Sequence, residues 1–123
     1  PVIGFAGDGG FMMSGNEFAT AIHYGSDPVI IVVNNAMHGT IRMHQEREFP
    51  GEDRISATRL VNPDFAALAA AYGGWSAKAA TTDEFKDVLA AAHGRNGLRL
   101  IHCTIDIEQL AASGASVSAL RNR

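Results

Sequence analysis

Little in this chain of 123 residues offers covalent or membrane anchorage. The single cysteine, Cys103, lies in an apolar run and cannot form an internal disulfide, which fits a reduced, cytoplasmic protein. No apolar stretch approaches the roughly 20 residues that a membrane-spanning helix requires. Basic residues are also scarce. Ten Lys and Arg against 13 Asp and Glu leave a formal charge of −3, so neither nucleic acid nor an anionic membrane is an expected partner. No internal repeat interrupts the chain. It opens at Pro1 and runs at once into a strand-like segment, so it is expected to be a piece of a longer protein.

What is present is an alternation of apolar runs and helical patterns. VIGFA (residues 2–6) and VIIVVNN (29–35) suit strands buried on both faces of a parallel sheet. WSAKAA (75–80) and LRLIHCTI (98–105) suit two more. Between them, SGNEFATAIHYG (14–25) places Phe18 and Ile22 on one helical face. AMHGTIRMHQEREFPGEDR reads as a polar loop with a short helix, closed by Pro50-Gly51. NPDFAALAAAYGG predicts a helix with Asn62 as candidate cap and Pro63 in its first turn. TTDEFKDVLAAAHG predicts another, with Thr82 as candidate cap. The expected fold is a three-layer, doubly wound α/β sheet, mostly parallel, with helices on both faces. Residues 1–107 would form this domain and residues 108–123 a weakly structured tail.

GDGG (7–10) and the Asn34-Asn35 pair both fall at carboxyl ends of expected strands, where such sheets bind ligands. The glycine-rich turn fits neither the dinucleotide fingerprint, which needs glycine at Met12, nor the phosphate loop, which needs Gly-Lys-Ser/Thr. Its glycines allow close backbone approach to a phosphate, yet Asp8 sits among them. A carboxylate and a pyrophosphate a few ångströms apart repel by several kcal/mol in a partly buried site. A shared divalent cation reverses that sign, and amide and carbonyl oxygens from the next strand would complete a hard-oxygen site suited to Mg²⁺ or Ca²⁺.

GDG followed by about two dozen residues and NN resembles the binding motif of thiamine-diphosphate enzymes. The longer run NNAMHGTIRMHQ…LVNPDFAALAAAYGG…GLRLIHCTID resembles the C-terminal region of acetolactate (acetohydroxyacid) synthases. The resemblance implies thiamine diphosphate and Mg²⁺ as cofactors, with FAD conceivable in a further domain. It implies metal ligation by Asp8, the Asn35 side chain and the Met37 carbonyl. Gly7, Gly9 and Gly10 would face the diphosphate, helped by a helix starting near Ser14, and His38 and Gly39 would close over the other phosphate. Asn34 would brace the turn.

The implied activity is decarboxylation of a 2-keto acid with carboligation. The alternatives are a simple decarboxylase or lyase, a non-catalytic metal- or nucleotide-binding module, and a structural remnant. In the resembling family the catalytic glutamate comes from another domain, usually on a partner subunit. The full protein is therefore expected to be a homodimer or homotetramer, and the isolated chain catalytically silent.

Two positions depart from the synthase pattern: His44 stands where Trp is usual, and Thr40 where Met is usual. His38 and His44 are weak candidates for proton transfer, since imidazole titrates near neutrality. Arg42 and Arg47 read as surface residues, and Glu17, Glu46 and Glu48 as solvated ones. His102 carries no usable signal.

Overall fold

A computed structural model describes residues 2–49, 55–110 and 116–121 of the chain. The expected Pro50-Gly51 closure lies outside the described residues. The four apolar runs form β1 (Val2–Gly7), β2 (Pro28–Asn34), β3 (Trp75–Ala79) and β4 (Arg99–Thr104). They pair in the order β1-β2-β4-β3, all parallel. The helices are α1 (Asp8–Ser14), α2 (Phe18–His23), α3 (Gly39–Glu48), α4 (Phe65–Ala71), α5 (Thr82–His93) and α6 (Val117–Arg121).

Handedness distributes the helices. From β1 to β2 and on to β3 the chain moves one way across the sheet; from β3 to β4 it steps back. Right-handed crossovers then put α1, α2 and α4 on one face and α5 on the other. The packing follows this division. Phe11, Phe18, Phe65 and Ala69 bury against Val32 and Leu100 on one face, whereas Phe85, Val88, Leu89 and Ala92 meet Val29, Ile31 and Ile101 on the opposite one. The expected three-layer α/β architecture is present.

Two anchors hold the layers. On the first face, the Phe11 ring centroid lies 5.2 Å from both Phe18 and Phe65, in edge-on geometry. Phe65 in turn meets the His102 ring at 5.1 Å. At the amino end of the sheet, the buried Arg99 guanidinium donates to the carbonyls of Asp27, Ala92, Arg95 and Gly97, and pairs with the Asp27 carboxylate at 2.7 Å. A charge this deep is stable because its donors are used.

Local details differ from expectation in four places. The glycine turn is itself helical: α1 begins at Asp8, not near Ser14, because burial of Phe11 pins its first turn to the sheet. Asp64, not Asn62, caps α4, accepting from the amides of Ala66 and Ala67, and Pro63 precedes the helix. Thr81, not Thr82, caps α5 in a reciprocal capping box with Glu84. The tail contributes α6, whose Val117 is buried.

β1 pairs with β2 alone among the described strands and leaves Val2, Ile3 and Phe5 exposed. Such an edge favours association. The isolated chain should therefore show concentration-dependent light scattering, reduced by Phe5→Lys. Phe65→Ala should destabilise the fold by about 3–5 kcal/mol in urea unfolding.

Candidate functional site

Register brings the two motifs together. Gly7, the last residue of β1, pairs with Val33, so the start of α1 and the Asn34-Asn35 turn leave the sheet side by side. That turn is fixed by its own side chains: Asn34 Oδ1 accepts from the Ala36 amide at 2.9 Å, and Asn35 Oδ1 from the Met37 amide at 3.3 Å. Asn34 thus braces the turn, as expected. Ala36 adopts a left-handed φ of 56°, an uncommon conformation for alanine that redirects the chain into α3. Antiparallel pairing then locks the turn to residues 58–60, through His38 N to Thr58 O and Leu60 N to Ala36 O, both 2.8 Å. Neither bond uses the Met37 carbonyl.

A cavity of about 400 Å³ opens here, lined by Gly7, Asp8, Asn35, Met37, Gly39 and Thr40 with Ile105 and Gln109 from the segment after β4. A second, of about 240 Å³, shares its Gly7, Asp8, Met37, Gly39 and Thr40 wall and is lined further by Gly9, Gly10 and His38. Every residue expected to hold the cofactor or the metal lines one or both. No side chain caps the first turn of α1 or of α3. Their free backbone N–H groups, with the positive ends of two helix dipoles, therefore border the smaller cavity, an arrangement suited to an anion. A Cβ on Gly9 would fall 2.5 Å from the His38 ring, so a larger residue there displaces that ring.

Asp8 is buried, 2% exposed, at the junction of both cavities. Asn62 donates through Nδ2 to Asp8 Oδ2 at 2.6 Å and to Asn34 Oδ1 at 2.9 Å. Asn34 Nδ2 lies 2.9 Å from His102 Nε2. The carboxylate can only accept, so each amide in this chain is oriented in turn, and the His102 proton is left on Nδ1. That nitrogen is buried without a hydrogen-bond partner, 3.9 Å from Asp64 Oδ1. Burial holds the His102 pKa below its ordinary value, against the opposing pull of Asp64.

Several residues behave otherwise than the sequence suggested. His44 is exposed on α3, bonded to Arg47, and reaches neither cavity. Glu46 is buried rather than solvated. Its carboxylate pairs with Arg42 at 2.7 Å and Arg121 at 3.1 Å, joining α3 to α6. The Arg121 hydrogen bond, aided by Arg42, holds its pKa below the usual carboxylate value although burial opposes this. Arg42 is thereby committed. Glu17 and Glu48 stay exposed, as expected. Asn62, His102 and Gln109 were not foreseen as part of this region.

The comparisons with known proteins agree with this geometry. Residues 1–103 match the family described as thiamine pyrophosphate enzyme, C-terminal TPP binding domain. The chain belongs to that family. As a thiamine-pyrophosphate-binding domain it is 36% identical to the acetolactate synthase large subunit of Haemophilus influenzae over 85% of its own length and 18% of that protein's. It is 32% identical to the isozyme 2 large subunit of Escherichia coli over 97% of its length and 22% of the relative's. Among solved structures, a thiamine diphosphate-dependent 4-hydroxybenzoylformate decarboxylase of Rhodococcus jostii superposes with a TM-score of 0.78 at 28% identity, covering 85% of this chain and 20% of that one. The chain thus spans about a fifth of the length of these relatives.

His102 gives the folded domain a pH dependence. The unfolded chain takes up this proton near pH 6.5, the folded one only at lower pH, so stability is full above that range and falls as pH drops through it. Urea unfolding compared at pH 7.5 and 5.5 should show the loss, and His102→Gln should abolish it. Glu46 titrates lower and stays outside this window.

Proposed function

We propose that this domain anchors the diphosphate of thiamine diphosphate through a divalent cation, Mg²⁺, in an enzyme acting on 2-keto acids. The observation that carries the proposal is the buried Asp8 carboxylate set between two uncapped helix N-termini at one cavity wall. Donors of this kind attract phosphate and Asp8 repels it; a cation bound by both removes the conflict. The donor set fits such an ion. Asp8, the Asn35 amide oxygen and the Met37 carbonyl are hard oxygens on residues lining the same cavity.

Each group then has a task. Asp8, Asn35 and the Met37 carbonyl would hold the cation. The amides of Gly9 and Gly10, and those at the start of α3, would bind phosphate oxygens. Gly9 and Gly39 keep the cradle shallow: a Cβ on Gly39 would come within 3.1 Å of Asn35 Nδ2. When bound, the cofactor supplies the electron sink for loss of CO₂ from a 2-keto acid. The proton transfer that starts catalysis is assigned to a glutamate outside this chain, with the site completed by another domain or subunit of a cytoplasmic homo-oligomer.

Carboligation of the acetolactate synthase kind is the favoured outcome, given the synthase relatives. Simple decarboxylation is the second reading, supported by Thr40. Of the two departures from the synthase pattern, only Thr40 lines the cavities, where it is smaller and more polar than Met.

Calorimetry on the full-length protein should give metal-dependent heat with thiamine diphosphate. Asp8→Ala and Asn35→Ala should each lower that affinity at least about tenfold. Equal heat from ADP would instead support a nucleotide-binding module.

A further inference from the structure

One contact of the buried Asp8 carboxylate has no part in holding a cofactor. Asp8 Oδ2 is taken by the Asn62 amide at 2.6 Å, whereas no hydrogen bond reaches Oδ1 among the described residues. Asn62 is itself immobilised. Its other hydrogen bond goes to Asn34 Oδ1, and its backbone follows directly from the pairing of residues 58–60 with 36–38. The next residue is Pro63, and Asp64 then caps α4, whose Phe65 is fully buried. The donor is therefore delivered from a rigid loop to one chosen oxygen.

We propose that Asn62 is a positioning residue that keeps Asp8 a one-oxygen ligand and so biases the site toward Mg²⁺ over Ca²⁺. It rests on the metal assignment proposed above. The physical reason is coordination geometry. Mg²⁺ demands near-octahedral coordination and takes carboxylates through one oxygen. Ca²⁺ accepts six to eight oxygens and tolerates both oxygens of one carboxylate. An amide donor on Oδ2 occupies the oxygen that two-point binding would need. Removing it frees the carboxylate to rotate, which harms the ion with strict geometry and helps the permissive one.

The chain of hydrogen bonds makes the restraint directional. Asn62 uses both amide hydrogens, one on Asp8 and one on Asn34; Asn34 uses its oxygen for Ala36 and Asn62 and its nitrogen for His102. Neither amide can flip without losing bonds at both ends. The backing for Asp8 thus extends from the start of α1 through Asn62 to β2 and β4.

The test measures Mg²⁺ and Ca²⁺ affinities separately, by calorimetry on the full-length protein with saturating thiamine diphosphate. Asn62→Ala should weaken Mg²⁺ binding about 10–100-fold while changing Ca²⁺ binding far less, so that the ratio falls at least about tenfold. Asn62→Ser, too short to span the same distance, should shift the ratio in the same direction and replaces the alanine variant if that one does not fold. Equal weakening of both ions, or no change in either, would overturn the proposal while leaving the cation site in place. Metal binding that survives Asp8→Ala would overturn the metal assignment itself, and this proposal with it.

Discussion

The pairing of Gly7 with Val33 is the constraint on which the remainder depends. Parallel register makes β1 and β2 end together, so the first turn of α1 and the double-asparagine turn are forced into contact. A shift of one residue in β1 would carry Asp8 away from the Asn62 amide that donates to it and swap the faces to which the β1 side chains point. The same register fixes which backbone groups are free. Amides at the start of α1 and α3 have no partner within their helices, and they line the cavity at that junction.

The saturated charge and the candidate site lie at opposite ends of the sheet. At the amino end Arg99 is saturated by carbonyls and Asp27, which closes that margin. At the carboxyl end polar groups are arranged in an open-ended chain: Asp8, Asn62, Asn34 and His102 satisfy one another, but Asp8 keeps an oxygen uncommitted. The aromatic cluster of Phe11, Phe18 and Phe65 supports the carboxyl end, since Phe11 belongs to the helix that begins with Asp8 and Phe65 packs on His102.

Most of the architecture was legible in the sequence because it rests on local patterns. Continuous β-branched runs mark buried parallel strands, and the alternation with helices specifies the layers. The placement of the candidate site was legible for the same reason: Asp8 and Asn35 stand next to strand ends. What escaped was set by long-range contact. Asn62 looks like a helix cap until Asp64 takes that role, and its partner Asp8 is 54 residues away. Glu46 looks like one more surface acid on a polar helix; its partner Arg121 is 75 residues away. The helical start at Asp8 was hidden by glycines, which favour loops unless burial of a residue such as Phe11 compensates. Thr81 differs from these, because the Thr-x-x-Glu pattern that identifies it was present in the sequence.

The junction of α3 with α6 has a consequence for how this sequence can drift. Glu46 is sealed from solvent between Arg42 and Arg121, while Ile105 and Gln109, on the stretch leading toward α6, wall the larger cavity. Glu46 is the one acid shared by both arginines, so its loss leaves Arg42 and Arg121 without their common partner, and substitutions in α3 are coupled to those in α6. The shape of the larger cavity is thereby tied to a charge cluster that lies outside its walls.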